Sequence, residues 1–227
     1  MSVIDVLPFA LLGALLGLDV VSFPQAMISR PIVAATVAGA FIGHPMAGLT
    51  IGAVLELMAL GMLPFGASKY PEWGSASVVG GALYAFHAGD SAGALAASVL
   101  AGLVTAVASG WSMVLLRRLN ASRAATQRVA LDAGSSSAIV GIQIFGLTAD
   151  FVRGGLVTLV AMLTFRPLVS AIVARWAANP VYSRSVVMTI GAAVAAGAIW
   201  KIFHSIRLAR VLFLGGLVVG MTLLVMT

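Results

Sequence analysis

The sequence predicts an all-α polytopic membrane protein, built as a single membrane-embedded domain over residues 1–227. Three observations carry this expectation. The chain is 61% hydrophobic and only 9% charged, whereas an average soluble domain is about half apolar and about a quarter charged. Its apolar residues fall into about six to eight segments, several of them helix-length and broken by Gly and Pro. The 13 Lys and Arg against 7 Asp and Glu cluster in short gaps between those segments, where the positive-inside rule expects them. So few charges cannot cover a water-facing surface, which excludes an ordinary soluble enzyme, a disordered chain and a nucleic-acid-binding domain. The absence of cysteine excludes disulfides, cysteine metal sites and a thiol nucleophile.

The first apolar run, Val6 to Val21, has Pro8 near its start and is broken by Ser22-Phe23-Pro24-Gln25. It lacks a basic region before it and a small-residue cleavage site after it, so it is expected to be a retained span. Arg30-Pro31 opens a segment ending at Gly43, and after His44-Pro45 a second, Gly48 to Leu63, stops at Pro64. As helices these two reach roughly 20 and 24 Å, short of a hydrocarbon core of about 30 Å. Short segments broken by Gly and Pro point to re-entrant helices beside a transport site; two tilted spans in a thinned bilayer are the alternative. A polar stretch, Gly66 to Gly74, precedes apolar runs Ala76–Phe86 and Ala92–Leu116. The basic residues Arg117, Arg118, Arg123 and Arg128 then form the clearest loop, expected on the cytoplasmic side.

Ser135-Ser136-Ser137 reads as a helix start. In the run Ala138–Thr164, Asp150 and Arg153 are three apart and can pair on one helix face. Arg166-Pro167 to Asn179-Pro180 reads as an interfacial segment, followed by Val186–Trp200, a second basic stretch from Lys201 to Arg210, and a last run Val211–Met226. If both basic stretches face the cytoplasm, an even number of crossings must separate them; two or three candidate segments lie there. The four tryptophans, Trp73, Trp111, Trp176 and Trp200, each lie within six residues of a charge, as membrane-interface aromatics do. Pairs such as Gly13/Gly17, Gly39/Gly43, Gly48/Gly52, Gly89/Gly93 and Gly216/Gly220 give GxxxG spacing, which lets helix backbones approach closely.

Glu56 is the one charge in the Gly48–Leu63 run and shares a helical stripe with Gly48 and Gly52. A carboxylate at membrane depth is costly and points to function. Two roles are open: a hydrogen-bond acceptor for a bound solute, or a brace that pairs with Lys69 or with backbone N–H groups of a broken helix. Gln25, Ser68, Lys69 and Glu72 flank the short segments and supply the donors and acceptors that a hydroxyl-rich ligand needs, although each alone also suits a solvated loop. Asp19 and Asp90 read as interfacial. His44, His87 and His204 are isolated from one another, so neither a metal site nor another cofactor is expected. No phosphate loop and no HExxH motif occurs.

The stretch FPQAMISRPIVAATVAGAFIGHPMAGLTIGAVLELMALGMLPFGASKYPEWG, Phe23 to Gly74, resembles the IIC component of the mannose/fructose/sorbose family of bacterial sugar phosphotransferase systems. Arg30-Pro31, the Gly48/Gly52 pair leading to Leu-Glu56-Leu, and LPFGASKYPE carry the resemblance; IQIFGLTADFVRGGL, Ile142 to Leu156, adds to it. It implies a multi-pass subunit of the bacterial inner membrane, surrounded by lipid and forming part of the pathway that binds and imports a hexose or related sugar. The implied partners are a IID-type membrane subunit and soluble IIA and IIB phosphocarriers, in an oligomeric assembly. Phosphoryl transfer falls on IIB, so this chain is not an enzyme by itself. Glu56 matches the family's glutamate motif. Two departures, Pro64 where mannose-type members carry a polar residue and His44 where an acid is often found, leave the sugar open. The alternatives are a complex subunit or small-solute permease uncoupled from phosphorylation, a membrane-embedded lipid-modifying enzyme, and a purely structural subunit.

Overall fold

The computed structural model describes residues 3–60, 69–87, 92–176, 180–203 and 208–226. They form a helical membrane protein. A 3-10 turn, Val3–Val6, leads into α1 (Leu7–Leu18). Then come α2 (Pro31–Ala40), α3 (Pro45–Ala59), α4 (Trp73–Ala85), α5 (Ala92–Thr126), α6 (Arg128–Asp132), α7 (Ser136–Arg175), α8 (Pro180–Phe203) and α9 (Ala209–Met226).

Every residue of α4 is buried. It packs against α1, α2, α3, α5 and α7. Its sequence explains this position: Gly74, Ser75, Ala76, Ser77, Gly80, Gly81 and Ala82 present small side chains on all sides, so neighbours close in from every direction.

The two short segments form a helical hairpin. Proline is the first residue of both α2 and α3, where its missing N–H and fixed φ do no harm. Gly43 adopts φ +87° between them, a conformation open to glycine. A Cβ on Gly52 would lie 2.9 Å from the Pro31 carbonyl oxygen and 3.0 Å from the Ile32 Cα, and one on Gly48 would meet the Ala35 carbonyl. The GxxxG pair is therefore the seam of the hairpin. At about 15 and 22 Å, α2 and α3 are both shorter than the bilayer core. The stop assigned to Pro64 lies outside the described residues.

The long helices differ from expectation. The Arg-rich stretch is no loop: α5 carries Arg117, Arg118 and Arg123 as helix, and only α6 with its flanks turns the chain. At 35 and 40 residues, α5 and α7 reach about 52 and 60 Å, so the pair extends beyond a bilayer core of about 30 Å. That explains how helix can hold charges there. Ser135 caps α7, its hydroxyl accepting from the Ala138 N–H. The Arg166–Pro180 segment is also not separate, because α7 continues through Pro167 to Arg175. Ala161, Met162 and Val169 sit in the core on both sides of the proline, so packing outweighs the lost backbone hydrogen bond. Two helices, α7 and α8, thus lie between the basic stretches.

Of the tryptophans, only part fits the interface pattern. Trp111 is exposed, but Trp73 is buried, and Trp176 is half-buried against Gly93. The Trp200 side chain lies outside those described.

Candidate functional site

The connection from Asp19 to Arg30 folds over the open end of the hairpin. Its organiser is Asp19, buried at the end of α1. The carboxylate accepts from the Ala26 N–H at 2.7 Å, the Ser29 N–H at 2.9 Å and the Ser29 hydroxyl at 2.8 Å. Three donors satisfy a buried carboxylate and close the loop around it. At the end of its apolar run, Asp19 is thus a buried organiser of the loop rather than a solvated side chain. Gln25 and Met27 adopt φ 60° and 63°, left-handed values that cost a non-glycine residue about 1–2 kcal/mol each. Such strain persists where surroundings over-determine it, and the Asp19 clamp is that surrounding. The Gln25 amide donates to the Val21 carbonyl at 3.0 Å.

Arg30 leaves this loop and forms an ion pair with Glu56. Glu56 also accepts from the Ile32 N–H at 3.2 Å, one of the free donors at the start of α2. The carboxylate of α3 therefore ties down the N-terminus of α2, with Arg30 rather than Lys69 as its cationic partner.

On the opposite side, residues 69–72 lie along α5. The Glu72 N–H donates to the Ala106 carbonyl at 3.0 Å, and Gly110 leaves room for the Tyr70 carbonyl. The Lys69 ammonium sits 3.2 Å from the centroid of the Trp111 ring, and the Arg117 guanidinium lies over Tyr70 at 4.8 Å. Both are cation–π geometries. Glu72 is buried and caps α4, accepting from the Ser75 N–H at 3.1 Å and the Ser109 hydroxyl at 2.6 Å.

Between these walls lies a cavity of about 270 Å³, lined by Asp19, Gln25, Ser29, Arg30, Tyr70 and Trp73, with Met27, Pro31 and Ala59 as apolar surface. The Trp73 indole N–H is buried with no hydrogen-bond partner among the described residues. A mixed lining of carboxylate, amide, hydroxyl, guanidinium and aromatic faces suits a small polyhydroxylated molecule, and the volume lies below the range of drug-sized pockets, about 300–1,000 Å³.

Of the residues singled out in the sequence, Gln25 lines this cavity and Glu56 holds its wall residue Arg30. Glu72 lies between lining residues but is engaged as a helix cap, and Lys69 is exposed on the Trp111 ring. Ser68 lies outside the described residues. Asp19, Ser29, Arg30, Tyr70 and Trp73 also line the cavity, although none of them stands out in the sequence as a binding residue. The signal for Arg30 was present: an arginine beside a proline at the mouth of a short apolar segment, 26 residues from an isolated glutamate.

Fold and cavity together define an α-helical membrane protein in which the loop before a short helical hairpin covers a small cavity of mixed lining. The family model described as "PTS system sorbose-specific iic component" matches residues 3–226, and the chain belongs to that family. It is 33% identical over 79 residues to the fructose permease IIC component of Bacillus subtilis (strain 168), an alignment covering 35% of this chain and 29% of that protein. It is 38% identical over 50 residues to the PTS system sorbose-specific EIIC component of Lacticaseibacillus casei, covering 22% of this chain and 18% of that protein. These alignments span less than a third of each relative's length. Among solved structures, one described as "Structure of membrane protein" superposes with a TM-score of 0.70 at 19% identity. The mannose transporter ManYZ in complex with microcin E492 superposes with a TM-score of 0.62 at 20% identity. Each superposition covers 97% of this chain and 87% of the other, and both show a shared fold.

Proposed function

We propose that this chain is a multi-pass subunit of the bacterial inner membrane that binds a hexose or related sugar and forms part of its import pathway. The observation that carries the reading is the cavity of about 270 Å³ under the Asp19–Arg30 loop. The loop side brings Asp19, Gln25, Ser29 and Arg30, groups that can meet the hydroxyls of a sugar ring, and Tyr70 and Trp73 supply aromatic faces from the other side. The relatives named as fructose and sorbose components support a sugar as the solute.

The chain works with other subunits. A IID-type membrane protein covers its remaining helix faces, and soluble IIA and IIB proteins carry the phosphoryl group to the sugar. Within this scheme Gln25 contacts the solute directly, Glu56 shapes the cavity through Arg30, and Glu72 fixes the segment that presents Tyr70 and Trp73. The test is equilibrium binding of radiolabelled hexoses to the chain purified with and without its IID-type partner. Saturable binding by the complex, and little by the lone chain, is expected. A complex that binds no hexose overturns the reading, and full-affinity binding by the lone chain overturns the need for a partner.

A further inference from the structure

One cluster of charge takes no part in the cavity lining. Asp150 and Arg153 of α7 are 1% and 9% exposed and pair through Arg153 Nε, 2.8 Å from Asp150 Oδ1. A charge pair inside a helical membrane protein is costly, so the question is what it holds. Asp150 Oδ2 accepts from the Ser22 hydroxyl at 2.5 Å, a bond from α7 to the loop that forms one wall of the cavity. Arg153 Nη1 donates to the Ser109 hydroxyl at 2.8 Å and to the Ser112 hydroxyl at 3.2 Å on α5. The Ser109 hydroxyl in turn donates to Glu72 at 2.6 Å, and Glu72 stands between Pro71 and Trp73 of the other wall.

The polar chain Ser22–Asp150–Arg153–Ser109–Glu72 therefore runs from one wall of the cavity to the other, through residues that do not line it. We propose that Arg153 and Asp150 are positioning residues that set the spacing of the two cavity walls. This rests on the cavity being the solute site. Only arginine provides the fork needed, with Nε and Nη1 each committed to a different element. The third nitrogen, Nη2, is buried without a hydrogen-bond partner among the described residues and faces the Gly17 backbone of α1, 3.7 Å from where a Cβ on that glycine would lie. Because neither ion can be left alone in an apolar interior, the link stays closed and transmits displacement of one wall to the other.

The experiment uses the absence of native cysteine. A single cysteine, Val20→Cys, is placed at a half-buried position that also lines the cavity, and its modification by a small thiol reagent is timed. Four backgrounds are compared: the otherwise native chain, Ser22→Ala, Ser109→Ala and the double variant. Each single change deletes one hydroxyl and spares the Asp150–Arg153 pair. Labelling is expected to quicken about threefold to tenfold in both single variants, including Ser109→Ala, whose hydroxyl never touches the loop. The double variant is expected to label no faster than the quicker single one, since both changes cut the same chain. A Ser109→Ala rate equal to the native rate, or independent multiplication of the two effects, overturns the proposal. So does an equal rise at a control cysteine, Ala161→Cys in the core of α7, which would mean general loosening. Hexose affinity of the same serine variants without the reporter cysteine should fall in parallel. Native complex that binds no hexose while the labelling pattern holds would refute the sugar reading and leave the brace in place.

Discussion

Arg30 and Glu56 form an ion pair that joins the first residue before α2 to the last turn of α3. Both helices are shorter than a bilayer core, and the first turn of α2 leaves backbone donors that need partners. Glu56 answers that need by accepting from the Ile32 N–H as well as from Arg30. The side chains are 34% and 16% exposed, so the pair sits at the mouth of the cavity rather than sealed beneath it. The same glutamate that singles itself out as a lone charge in an apolar run is thus a structural tie whose partner lines the site.

Glu56→Gln should lower the stability of the protein more than a solute-contacting residue would. The amide keeps one acceptor but loses the charge, and partial exposure limits the loss to about 1–2 kcal/mol. For a domain of this size that is a fall in Tm of about 2–8 °C. Melting and hexose binding measured on the same purified complex separate the roles. An unchanged Tm with weakened binding would make Glu56 a direct sugar ligand and remove its bracing role.

The hairpin seam makes a second, independent claim. Gly52→Ala puts a methyl 2.9 Å from the Pro31 carbonyl oxygen, and two backbones must separate to admit it. Overpacking of this kind costs about 1–3 kcal/mol. Gly216→Ala in α9 meets nothing within 4 Å and should stay within about 0.5 kcal/mol of the native protein. Thermal melting of the isolated chain carrying each change checks the contrast, and equal effects would show that GxxxG spacing alone does not mark the seam.

Much of the architecture was legible because membrane sequences declare their helices openly. Pro31 and Pro45 mark helix starts, Gly43 marks the turn, and Ser135 caps α7, all through local chemistry. The Asp150–Arg153 pair followed from helical spacing. The failures have a common cause: tertiary packing overrode a local signal. Pro167 reads as a break, but core contacts on either side carry α7 through it. Trp73 beside Glu72 reads as an interface anchor, yet Glu72 turns inward to cap α4 and takes the indole with it. The clamp made by Asp19 leaves no sign in the sequence because its three donors lie seven to ten residues ahead, in a loop whose path no periodicity describes. The cavity was hidden for the same reason, since it is made by that loop.

The side of the membrane follows from the basic end of the α5–α7 pair. Arg117, Arg118, Arg123 and Arg128 gather there, and the positive-inside rule predicts that this end faces the cytoplasm. Ala121→Cys, at an exposed position, should react with a membrane-impermeant thiol reagent in inverted vesicles and stay unmodified in intact cells or right-side-out vesicles. Rapid labelling from the outside would reverse the orientation.

The last prediction concerns Trp73. It lines the cavity, while its indole N–H is buried without a partner among the described residues. An unsatisfied buried donor is tolerated where a ligand or a bound water completes it. Trp73→Phe removes the donor and keeps most of the aromatic face, so the fold should hold, and Tm should change by only a few degrees or rise. If a sugar hydroxyl accepts from this N–H, hexose affinity should fall about tenfold, the worth of one hydrogen bond in a closed site. Trp73→Ala should cost more in both quantities, because it also opens a hole in a core that includes Leu55 and Ala76. The discriminating measurement is the Phe variant: isothermal titration with the preferred hexose, beside a melting curve of the same sample. Unchanged affinity with a higher Tm would mean that the orphan donor is merely a native flaw, and would leave the other polar lining residues, Gln25, Arg30 and Tyr70 among them, as candidate contacts to the solute.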